Sequence, residues 1–284
     1  ESAKYILKKL MTKLIKNYNE KERDEDFIDS FKLSILSNTY QCIDQSVAIE
    51  SFQKVLPLCI NSVSSVNVIN STPFLEIMEI IGYKFVPFLE TLVPHLFILS
   101  RRNVENILPV IDCFEKIVSL YSSSKELGTF LESILSYAIS YGSKLDDEGE
   151  VDANKEEMIT QMDEIDIHQI RLESIILVNL ILQNNWSNKE LYGKILQFVM
   201  IEIPKEVSEN CLDALFSIVI LFIEHEDEEE VRKYSENKEN DEKIELLGMK
   251  KIDILNYFLS YIPFAISKAI ENNSEALFAS AASI

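Results

Sequence analysis

The chain contains little glycine and little proline, with 6 and 7 residues respectively among 284. β-Sandwiches need such residues at tight turns, and dinucleotide-binding α/β folds need clustered glycines after their first strand. Every glycine here is isolated, so the sequence has no phosphate loop, nucleophile elbow or dinucleotide fingerprint. The composition therefore argues against these classes and leaves a helical fold as the simplest expectation.

Long apolar runs are also missing. The longest nearly apolar stretches, residues 175–182 and 214–223, are shorter than the roughly 20 residues that a membrane-spanning helix needs. We therefore predict no membrane span. Because the first residue is Glu1 and not Met, we expect this sequence to be part of a longer array.

Cysteine pairs at metal-binding or redox spacing are absent. The four cysteines lie far apart among apolar neighbours, which is typical of buried thiols in a reducing compartment. One disulfide pair is the alternative. These cysteines are Cys42, Cys59, Cys113 and Cys211. We expect a cytoplasmic and nuclear location.

Residue groups that carry chemistry are scarce. The three histidines, His95, His168 and His225, are too scattered for a multi-histidine metal site. A calcium loop at residues 146–152 is disfavoured because Gly149 stands fourth in that run and not sixth. We predict no cofactor, no metal and no catalytic residue, and hence a protein that is not an enzyme.

Negative charge is abundant. The chain has 47 Asp and Glu against 27 Lys and Arg, a net charge of -20 and a pI of about 4.6. Such a field repels phosphates and anionic membranes, so we expect proteins with basic surfaces as partners and no direct contact with nucleic acid. The alternative is that the charge serves solubility alone.

Apolar residues recur at helical spacing along most of the chain. We predict helices at about residues 3–18, 24–37, 39–63 and 73–82, and then from Pro87 to Leu99. Further helices are expected at about residues 104–121, 125–141, 167–183, 187–203, 207–223 and 246–262, with a return helix after Pro263 and a short segment at 274–282.

Several residues have the spacing of helix caps. Thr72 before Pro73 opens one helix and Gly82 closes it, while Asn103 precedes another. Ser123 with Glu126, and Ser187 with Glu190, have capping-box spacing, and Pro204 should stop the helix before it. These signals predict short antiparallel helical hairpins.

Three proline-bearing stretches resemble one another, around Pro57, around Pro87 and Pro94, and around Pro109. Recurring hairpins of about 37 to 47 residues are typical of HEAT and armadillo arrays. The predicted fold is all-α: a right-handed α-solenoid of antiparallel helical hairpins over residues 1–284, with acidic loops at about 143–166 and 224–245.

Residues 51–143 resemble the HEAT repeats of the importin-β/exportin (β-karyopherin) superfamily. The resemblance rests on the aromatic-x-Pro-aromatic-Leu pattern of Phe85-Val86-Pro87-Phe88-Leu89. It implies a non-enzymatic transport receptor segment that binds basic cargo or the GTPase Ran through acidic loops. With Trp186 as the only tryptophan, the tryptophan ladder of some importins is missing. Condensin, cohesin and phosphatase scaffolds share the pattern, so the alternative is a structural or regulatory subunit of a chromosome-organising, phosphatase or ribosome-assembly complex.

The first acidic stretch is the candidate partner-binding site. Several carboxylates acting together can attract a basic segment where a single surface pair cannot. The ten residues are Asp146, Asp147, Glu148, Glu150, Asp152, Glu156, Glu157, Asp163, Glu164 and Asp166. The alternative for this stretch is a solvated loop. The lysine-rich face of residues 3–18 is interpreted as the outer side of a packed helix, with an acidic partner or lipid as its alternative ligand.

Overall fold

The computed structural model describes residues 82–143, 164–185, 188–235, 251–272 and 274–283, together with Tyr5, Lys9, Leu75, Met78 and Glu79. All regular secondary structure in these residues is helical, and no strand occurs among them. The all-α prediction is therefore confirmed. None of the described helices is long and apolar enough to cross a membrane.

The chain divides into two compact units. Unit 1 comprises Glu1–Ile134 and Val151–Asp166, and unit 2 comprises Leu135–Glu150 and Ile167–Ile284. Nothing in the sequence pattern indicated this division.

Unit 1 is built from short helices around an aromatic core. A 3-10 helix, Gly82–Phe88, leads into α1, Leu89–Arg102; a second 3-10 turn, Val104–Asn106, leads into α2, Ile107–Tyr121. Helix α3 spans Lys125–Gly128, and α4, Leu131–Gly142, starts in unit 1 and continues into the range of unit 2. Helices α1 and α2 pack on each other and on both 3-10 segments.

Helix ends in unit 1 follow the polar residues of the sequence closely. Gly82, the first residue of the 3-10 helix, has φ of +57°, a left-handed conformation that glycine adopts without strain. Asn103 Oδ1 accepts the backbone N–H of Glu105 at 3.1 Å, as predicted. The predicted capping box is wrong by one residue, because Ser124 and not Ser123 accepts the N–H of Leu127, at 3.2 Å. Ser123 instead shares a hydrogen bond with the Tyr83 hydroxyl.

The predicted helix at 125–141 is interrupted. The structure has a turn at Thr129 and Phe130 between α3 and α4. The Thr129 hydroxyl donates to the Glu126 carbonyl at 2.7 Å, a local bond of the kind that competes with helix continuation.

Aromatic rings fill the core of unit 1. Phe85, Phe114 and Tyr121 are fully buried, and the rings of Phe85 and Tyr121 stack with centroids 5.9 Å apart. The Tyr121 hydroxyl donates to the Met78 carbonyl at 3.1 Å, and Asn106 Nδ2 donates to the Leu99 carbonyl at 3.1 Å. The buried polar groups named here thus use neutral hydrogen bonds to the backbone.

Unit 2 contains the two longest of the described helices. Its elements are α5, Glu164–Asn184, whose first residues precede the unit; α6, Lys189–Glu202; a 3-10 turn, Ile203–Lys205; α7, Glu209–Ser235; α8, Lys251–Leu259; α9, Ile262–Asn272; and α10, Glu275–Ser283. Asn188 Oδ1 caps α6 by accepting the N–H groups of Glu190 and Leu191, so the predicted start at Ser187 shifts by one residue.

Small residues allow the C-terminal helices of unit 2 to approach α7. Leu212 and Phe216 of α7 form a core cluster with Ala265, Ala269, Leu277 and Ala281. Alanines on α9 and α10 leave room for the larger α7 side chains, and α7, α9 and α10 pack on one another. Ser280 and Asp213 add a side-chain hydrogen bond of 2.6 Å between α10 and α7.

Candidate interaction surface

The first acidic stretch meets the described structure only at its end. Glu164 is the first residue of α5, and Asp166 is exposed on the first turn of that helix. The other eight carboxylates of the predicted site lie outside the described residues. Acidic residues in the first turn of a helix are favoured by the positive end of the helix dipole.

The second acidic stretch is helical where the structure describes it. The sequence predicted that the helix ends at Ile223, whereas α7 continues to Ser235. Glutamate is a good helix former, and Glu228 with Arg232 and Glu229 with Lys233 have the i,i+4 spacing at which opposite charges support a helix. The predicted loop is wrong over residues 224–235, because a low apolar content does not prevent a charged segment from continuing a helix.

This acidic run follows the ring contact between α7 and its hairpin partner α6. The rings of Tyr192, near the start of α6, and Phe222 of α7 meet edge to face with centroids 4.6 Å apart. Residues 223–235 of α7 therefore lie past that contact, which at 1.5 Å per residue is a helical segment of about 20 Å. Its carboxylates are Glu224, Glu226, Asp227, Glu228, Glu229 and Glu230.

A buried ion pair supports the other end of α7. The Arg171 guanidinium of α5 binds Oε2 of Glu206, whose side chain is completely buried. Glu206 Oε1 accepts the backbone N–H groups of Val207 and Ser208 at 2.9 and 2.8 Å. The Glu206 carboxylate thus accepts two backbone N–H groups that precede the first turn of α7, and its ion pair with Arg171 links the start of α7 to α5.

The corner between α6 and α7 has an unusual distribution of polarity. Glu202 and Glu206 are buried there, whereas Ile201 and Val207 are 45% and 61% exposed. The paired arginine explains the buried position of Glu206, because a buried charge needs a partner and hydrogen bonds. This pair was not predicted from the sequence. The signal was available, since Arg171 stands in helical register with the core residues Ser174, Ile175 and Val178.

The cysteines of the described residues are buried free thiols, as predicted. Burial, with a contribution from Asp112, raises the pKa of Cys113 to about 12. Burial also raises the pKa of Cys211, and Glu206 adds to the rise, while Ser208 and Arg171 oppose it. Both thiols are therefore held in the unreactive protonated form. Cys42 and Cys59 lie outside the described residues.

The histidines have separate environments. His95 donates from Nδ1 to the Thr91 carbonyl at 2.6 Å on α1, His168 is exposed on α5, and His225 is half-buried on α7. Within the part of the chain that the structure describes, no group of three or more His, Cys, Asp or Glu side chains has the arrangement of a metal site.

Comparisons with known proteins return no match. No family model matches the chain, and neither the curated proteins nor the solved structures contain a match. The resemblance to HEAT repeats consequently rests on the sequence pattern of residues 51–143 alone.

Proposed function

We propose that this chain is a non-enzymatic protein-binding scaffold whose acidic stretches receive a basic segment of a partner protein. The observation that carries the proposal is the course of α7. One helix runs from the fully buried Leu212, Phe216 and Val219 into a run of carboxylates beyond the contact with α6. When a partner binds charges that are already fixed on one continuous helix, less conformational entropy is lost than when it binds charges on a free segment.

The packing is also compatible with stacked hairpins. Successive helices pair with short connections, α1 with α2, α6 with α7, and α9 with α10. We propose that these pairs are repeats of a right-handed HEAT-like α-solenoid, the architecture whose extended surfaces bind other macromolecules. By its resemblance to β-karyopherins, the partner would be a basic cargo or Ran in the cytoplasm and nucleus.

Binding of a fluorescein-labelled arginine- and lysine-rich peptide tests the proposal. One variant replaces the six carboxylates at 224–230 by glutamine, and a second replaces the ten acidic residues of the first stretch by serine or asparagine. The matched control neutralises six exposed carboxylates elsewhere: Glu90, Glu105, Glu132, Glu190, Glu271 and Glu275. We expect each acidic-stretch variant to bind the peptide about tenfold more weakly than the wild type. The affinity of the wild type should also fall more steeply than that of the variants as the salt concentration rises.

The outcome is decided by the difference between the variants and the control. An equal loss in all of them would mean that only net charge matters, and unchanged affinity would reduce the stretches to solvated segments. The melting temperature should fall only slightly in every variant, because each surface pair that is removed contributes less than about 1 kcal/mol. A partner released by Ran–GTP would support the transport receptor, and indifference to Ran–GTP would favour a HEAT-type structural subunit.

A further inference from the structure

We draw no further inference here: the strongest candidate, the apolar outer surface of helices α9 and α10 with the exposed side chains of Phe264, Ile270 and Phe278, carries none because nothing in the structure shows what covers it.

Discussion

The two units bury polar groups in different ways. In unit 1, Tyr121 and Asn106 donate neutral hydrogen bonds to backbone carbonyls inside an aromatic core. In unit 2, Arg171 and Glu206 form a buried ion pair, and alanines let three helices approach one another. Removing one partner of a buried neutral hydrogen bond costs about 1–3 kcal/mol, whereas removing one partner of a buried ion pair costs about 3–5 kcal/mol. Unit 2 should therefore contain the more vulnerable junction.

Removing one charge of the buried pair should have the largest effect. Arg171→Met leaves Glu206 charged and without its partner, and we expect the free energy of unfolding to fall by about 3–5 kcal/mol. Urea denaturation monitored through Trp186, the only tryptophan and within the sequence of unit 2, measures the loss. Hydrogen exchange in α1 and α2 shows whether unit 1 is affected.

The double variant separates charge from packing. Arg171→Met/Glu206→Gln removes both charges and keeps an amide oxygen for the N–H groups of Val207 and Ser208, so it should recover most of the stability. The surface pair of Lys194 and Glu190, 3.5 Å apart, is the control, and Lys194→Met should cost less than about 1 kcal/mol. If Arg171→Met is as mild as Lys194→Met, the proposed contrast between the units is wrong.

The helical pattern was largely predictable from the sequence because it depends on local spacing. Periodic apolar residues located most described helices, and Asn103 was predicted correctly as a helix cap. Cap positions at Ser124 and Asn188 were missed by one residue, since neighbouring polar residues compete for the same backbone donors.

Interactions between distant residues were not predictable in the same way. Arg171 and Glu206 are 35 residues apart, and only packing shows that they meet. The acidic extension of α7 was not predicted for another reason: the high charge density of residues 224–235 is typical of a loop, whereas glutamate is also a good helix former. Of the predicted partner-binding residues, Glu164 and Asp166 are placed by the structure, and their role stays a prediction.

Two tyrosine hydroxyls, one buried and one partly buried, allow a direct comparison of the units at alkaline pH. Tyr121 donates to Met78 in unit 1, and Tyr257 donates to the Met200 carbonyl at 2.6 Å in unit 2. Burial raises the pKa of Tyr121 well above its usual value. Burial also raises the pKa of Tyr257 to about 12, with a further contribution from Tyr261. A raised pKa means stability that is complete below the unfolded value of about 10 and is lost as the pH rises through the folded pKa.

Tyr121→Phe and Tyr257→Phe should each cost about 1 kcal/mol or less at neutral pH, because a backbone carbonyl loses its hydrogen-bond donor. Above about pH 10 the free energy of unfolding of the wild type should decrease as the pH rises. This decrease should be smaller in Tyr121→Phe than in Tyr257→Phe, because Tyr121 is the more deeply buried residue. Urea titrations at neutral and alkaline pH measure both effects. If the loss of stability with pH is smaller in Tyr257→Phe, then Tyr257 and not Tyr121 is the main alkaline-sensitive group.

Replacing one glycine in each unit by alanine should change the stability least, and the two changes should have opposite signs. An added Cβ at Gly128 of α3 meets nothing within 4 Å, so Gly128→Ala should stabilise unit 1 by about 0.4–1 kcal/mol through the lower entropy of the unfolded chain. At Gly142, which lies within unit 2, a Cβ would be 3.1 Å from Cζ of the buried Phe198 and 3.6 Å from Ser174 Cβ. Gly142→Ala should therefore destabilise the protein by about 1 kcal/mol. Thermal denaturation of the two variants and of the double variant measures these changes, which should add. If both substitutions stabilise, the helices around Phe198 can move apart at little cost, and the close packing inferred for unit 2 does not constrain this position.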